Sequence, residues 1–161
     1  MTDVLAMCRQ LPELALACGE RLIEEGVADA RMYVLKDGAF EVLRGGVRVV
    51  VIDEPGAFIG EIAALLGTRP TATLVATRDS AVYVIEQAAA VARQQPDITY
   101  AIAQLLARRL SAVTAYLVDI KRQYGGENTH LAVMDQVLGS LMSARNEAGA
   151  TGSERSDVPD Y

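Results

Sequence analysis

Short apolar runs separated by glycine turns fill the middle of the chain, and a helical period replaces them towards its end. Arg21 to Glu24, Arg31 to Leu35, Ala39 to Leu43 and Val47 to Ile52 are rich in β-branched and aromatic residues. Gly26, Lys36-Asp37-Gly38 and Gly45-Gly46 separate them. Runs of this length, punctuated this way, predict antiparallel strands of a barrel or sandwich. Two further runs, Thr73 to Ala76 and Ala81 to Ile85, flank Arg78-Asp79-Ser80 and read as a closing hairpin. Residues 3–10 read as a short helix that Leu11-Pro12 interrupts.

After Ile85 the period becomes helical. Gln87 to Gln95 is alanine-rich and predicts a short hinge helix that stops before Pro96. Pro96 then opens a long helix to about Arg122, a proline being tolerated in a first turn. Ile102, Leu106, Leu110, Val113, Leu117 and Ile120 recur mostly three and four residues apart along it, the spacing of a helical seam. Its first two turns are expected to pack on the strands and its second half to form a homodimer seam. Gly125-Gly126 should break the helix, and Leu131, Met134, Leu138, Leu141 and Met142 form a final amphipathic helix. The expected fold class is thus α+β, an antiparallel, jelly-roll-like β-roll followed by a hinge helix, a long helix and a final short helix. The expected division is 1–122 for the main domain, 123–146 for the additional helix and 147–161 for a disordered, acidic tail.

The stretch from Gly56 to Thr77 places a carboxylate, a short apolar helix and an arginine between two strands. A helix starting near Gly60 leaves its first N–H groups turned towards any anion, and the glycine lets backbone approach closely. Glu61 can accept from a ribose hydroxyl, and Arg69 can meet a phosphate through charge-assisted bonds.

This stretch, Phe58-Ile59-Gly60-Glu61-Ile62-Ala63 followed by Arg69-Pro70-Thr71-Ala72-Thr73, resembles the phosphate-binding cassette of the cyclic nucleotide-binding domain family. Gly19-Glu20 to Gly26 and Tyr33 to Gly38 resemble the same family's strand and turn signatures. The resemblance implies that Gly60, Glu61, Ile62, Ala63, Arg69, Thr71 and Ala72 bind cAMP or cGMP. Glu61 would hold the ribose, and backbone N–H groups around Ala63 and Ala72 would hold the phosphate with Arg69. The family's arginine falls at position 70, which here is Pro70, a residue with neither charge nor N–H. Pro96-Asp97-Ile98 and Ala107-Arg108-Arg109-Leu110 resemble the long helix of the catabolite activator family. That likeness implies that Arg109 supports the cassette glutamate and that Thr114 faces the purine, while Val113 stands where a second polar group is expected.

Composition narrows the function classes. One domain with a well-covered core fits 161 residues. A net charge of −6 argues against binding nucleic acid or an anionic membrane, and too few residues follow the long helix for a winged helix-turn-helix. The start lacks the pattern of a secretion signal, and no uncharged apolar run reaches the length of a bilayer span; a soluble, cytoplasmic protein is expected. Cys8, Cys18 and His130 make no zinc site, and no catalytic constellation is present, so the chain is not expected to be an enzyme. Two functions follow. One is a stand-alone sensor in which the nucleotide closes the hinge and long helix over the pocket. The other is the same fold without ligand, serving dimerisation and docking of an unidentified protein partner.

Overall fold

The computed structural model describes residues 4–123, with Val137 and Gly139. Contacts divide the chain into two units, Met1–Ala107 and Arg108–Tyr161. The elements in order are α1 (Val4–Cys8), β1 (Glu13–Leu16), β2 (Arg21–Ile23), β3 (Met32–Asp37), β4 (Phe40–Arg44), β5 (Val47–Ile52), β6 (Phe58–Ile59), α2 (Glu61–Leu66), β7 (Thr73–Ala76), β8 (Ser80–Ile85), α3 (Ala88–Gln94) and α4 (Pro96–Gln123). The strands form two four-stranded sheets, β1-β8-β3-β6 and β2-β7-β4-β5, and every pairing is antiparallel.

Side-chain alternation explains why β3 and β8 read as continuous apolar runs. Tyr33 and Leu35 on β3 and Val82 and Val84 on β8 meet Leu22, Phe40, Leu74 and Ala76 between the sheets. The alternate residues, Met32, Val34, Tyr83 and Ile85, face a second core completed by Cys8, Ala64, Ala88, Ile98, Ala101 and Ile102 from the four helices. Both faces of β3 and β8 are covered, so neither can be polar. The first turns of α4 accordingly belong to the β-roll's core, as its stripe predicts. In the second unit Leu110 and Val113 are exposed, and Leu117 and Ile120 are half-buried.

The expected hairpin of β7 and β8 is not formed. β7 pairs with β2 and β4 in one sheet, and β8 pairs with β1 and β3 in the other, so residues 77–79 cross between sheets. The crossing is tied to the β3–β4 turn: the Thr77 N–H donates to the Ala39 carbonyl at 2.9 Å, and Arg78 Nη2 donates to the Gly38 carbonyl at 2.9 Å. Ser80 Oγ, buried, accepts from the Ala39 N–H at 3.1 Å and donates to the Arg78 carbonyl at 2.8 Å. Gly38 lies so close that an added Cβ would stand 2.1 Å from Ser80 Oγ and 2.5 Å from its Cα. Only glycine fits there.

Two strands, β1 and β6, add to the expected set. The predicted final helix, the Gly125-Gly126 break, His130 and the acidic tail lie outside the described residues, apart from Val137 and Gly139, which are helical. By length and composition alone α4 is apolar enough to cross a membrane. Its uncharged runs are nevertheless interrupted by Arg108 and Arg109.

Candidate functional site

Gly60, between β6 and α2, has φ 82° and ψ 5°. An added Cβ would stand 3.1 Å from Ile23 Cδ1 and 3.5 Å from the Arg31 carbonyl oxygen. The left-handed backbone and the close neighbours both require glycine. The next residue, Glu61, opens α2 and is 3% exposed. A buried carboxylate needs polar partners to offset its desolvation. Ala63 is half-buried, and its carbonyl accepts from the N–H groups of Gly67 and Thr68, which ends the helix after two turns. A left-handed Gly67 then turns the chain back.

The loop from Thr68 to Ala72 returns to β7. Pro70 is buried and Thr71 exposed, with Ala72 half-buried. Arg69 Nη1 donates to the Gly26 carbonyl at 3.2 Å, while the Gly26 N–H donates to the Pro70 carbonyl at 2.8 Å. Arg69 therefore stands beside the β2–β3 loop, with one of its five donors engaged among the described residues. The missing N–H of Pro70 costs nothing in this exchange, because its carbonyl is the group that serves.

Sequence reasoning missed the part played by that β2–β3 loop. At its far end the Ala30 carbonyl accepts from the Ala88 N–H of α3 at 3.0 Å, so residues 26–30 join the cassette to the hinge helix. Asp29 holds the loop's shape. It accepts from Arg31 N and Nε at 3.0 and 2.9 Å and from the buried Tyr33 hydroxyl at 2.8 Å. Burial acts to raise the Asp29 pKa, but the bonds from Arg31 and Tyr33 together outweigh it and hold the carboxyl below its ordinary value. Burial first, then the bond to Asp29, pushes the Tyr33 phenol well above its ordinary range. The sequence signal was an Asp-x-Arg-x-Tyr spacing just after a turn glycine.

α2 packs against α3 and β3, and Ala64 and Ala88 share one core. Ile62, Leu65 and Leu66 are 51, 42 and 70% exposed. Gln87, at the junction of β8 and α3, has φ 49°, an uncommon left-handed conformation for a residue other than glycine. Thr99 Oγ1 donates to the Ala92 and Gln95 carbonyls and so fastens the turn between α3 and α4. Gly60, Glu61, Ile62, Ala63, Arg69, Thr71 and Ala72 thus lie together on α2 and the loop that follows it. Arg109 and Thr114 lie on α4 in the second unit, and both are half-buried. No group of three or more His, Cys, Asp or Glu residues able to hold a metal occurs among the described residues.

The architecture is a β-roll interrupted by a short glycine-led helix that carries a buried glutamate. Residues 13–92 match the sequence model of the family described as cyclic nucleotide-binding domain, and the domain they form belongs to that family. Solved structures agree on the fold. Catabolite activator protein from Thermus thermophilus is similar at 20% identity and a TM-score of 0.60, over 88% of this chain and 83% of that one. A transcriptional regulator from Thermotoga maritima is similar at 12% identity and a TM-score of 0.62, over 75% and 99%. A structure of PfPKA-R with cAMP bound is similar at 19% identity and a TM-score of 0.55, over 79% and 45%.

Proposed function

We propose that the chain is a cyclic nucleotide sensor, a regulatory module rather than an enzyme. Glu61 accepts from the ribose, and the backbone N–H groups around Ala63 and Ala72, with Arg69, hold the cyclic phosphate. The observation that carries this reading is the burial of Glu61 at the head of α2, immediately after the left-handed Gly60, within a domain of this family. The cAMP in the PfPKA-R structure supports the same ligand class, cAMP or cGMP. Thr71 suits either purine.

Closure of α3 and α4 is the output. A ligand moves such an equilibrium only through contacts that differ between its two states. The exposed Ile62, Leu65 and Leu66 offer apolar surface that closure would cover, and the loop from Gly26 to Ala30 gives cassette and hinge a shared mechanical link. The second half of α4 forms a homodimer seam. The chain works in the cytoplasm, without nucleic acid as a direct partner. Nor is α4 a membrane span: Arg108 and Arg109 would sit near its centre, at about 2.5–3.5 kcal/mol each, and Ile98, Ala101 and Ile102 are already buried in the core.

One observation favours a second reading, a domain that has lost its ligand and serves dimerisation and partner docking. Arg69 is engaged with Gly26, and Pro70 occupies the expected arginine position. Calorimetric titration of the exchange Arg69→Pro with Pro70→Arg separates the two. A working sensor loses affinity or stays level on the exchange, whereas a decayed site gains measurable affinity from none.

A further inference from the structure

β5 is the open edge of the β2-β7-β4-β5 sheet, and it is the most apolar exposed strand of the described chain. Val47, Val49, Val50 and Val51 are 69, 63, 51 and 41% exposed. An edge strand presents a row of backbone donors and acceptors, and natural edges of this composition are normally covered or charged. The one charge within the strand is Arg48.

The ladder with β4 makes that charge informative. Val42 pairs with Val50, but Leu43 pairs with Arg48, so Val49 is one extra residue, a β-bulge. On a regular strand Arg48 and Asp53 would point to opposite faces, because their positions differ by five, an odd number. The bulge restores them to the same face. Both side chains are exposed, and neither makes a hydrogen bond or ion pair among the described residues.

We propose that β5 pairs antiparallel with β5 of a second copy of this chain, about a twofold axis perpendicular to the sheet at Val51. Facing residues in such a pair must lie on the same face. Val51 then meets its own copy and Val50 meets Ile52. Because each strand carries the bulge, Arg48 meets Asp53 at both ends. The strand is complementary to itself in apolar pairs and in charge, which is why the occupant is a second copy and not a foreign strand. This interface is separate from the α4 seam and does not rest on nucleotide binding.

The test is sedimentation equilibrium in the Leu110→Glu, Leu117→Glu background, which removes the α4 seam. The proposal predicts a concentration-dependent dimer. Arg48→Asp alone, or Asp53→Arg alone, places like charges opposite each other twice and weakens association about tenfold or more. The double variant Arg48→Asp with Asp53→Arg restores it. Arg48 and Asp53 are exposed, and an unchanged thermal melt checks that each variant is folded. A monomer at every concentration up to about 1 mM, the weak end for so small an interface, would overturn the proposal. So would a dimer that ignores both single charge reversals, since its contact would lie elsewhere.

Discussion

Gly60 and Glu61 are neighbours with opposite demands, one needing no side chain and the other burying a charged one. Gly60→Ala meets both a left-handed φ and a 3.1 Å approach to Ile23 Cδ1. It should cost about 1–3 kcal/mol in denaturant unfolding, and a change near zero would show that the turn relaxes freely. Asp29 gives a pH prediction. Its pKa is lowered in the folded state, so the folded protein binds this proton more weakly than the unfolded chain. Its stabilising contribution is therefore present above the ordinary carboxylate range and is lost as pH falls through the folded value. Asp29→Asn should be less stable than the parent by up to about 1 kcal/mol near neutrality, since Arg31 is 44% exposed and screened by solvent. The gap should close as pH falls below the ordinary carboxylate range and through the lowered folded value. Chemical denaturation across pH measures this, and parallel curves would remove Asp29 as the loop's fastening.

Among the elements, what could be read from sequence was whatever local pattern determines. β3, β4 and β5 announce themselves by β-branched runs between glycines, β7 and β8 by such runs alone, and the change of period at Ile85 marks the helices. β1 did not, because three of its four residues are exposed and it follows a proline. β6 is two residues long, too short for any period. The mistaken β7–β8 hairpin is a failure of partner choice: a three-residue connection between strands looks the same whether they pair or cross to another sheet. At the site, the kinds of residue were legible and their partners were not. Glu61 and Gly60 carry side-chain chemistry, or the lack of it, that sequence displays. The contact of Arg69 with the Gly26 carbonyl is made to a backbone atom and leaves no compositional trace.

At the scale of the whole molecule, assembly is the first thing to test. If the second half of α4 is a homodimer seam, placing unpaired charges there should cost several kcal/mol. Leu110→Glu with Leu117→Glu should give a folded protein with its α4 association lost, which sedimentation velocity would read as a fall in mass at low micromolar concentration. An unchanged mass would end the seam reading. The central claim, that Glu61 and the loop through Arg69 form a cyclic nucleotide site, is tested most directly by calorimetric titration of cAMP and cGMP into the wild-type chain, Glu61→Ala and Arg69→Ala. The account predicts saturable binding of at least one nucleotide, weakened about ten- to a hundredfold by loss of Arg69 and weakened also by loss of Glu61. Wild-type binding that ignores both substitutions, or no binding of either nucleotide, would contradict it.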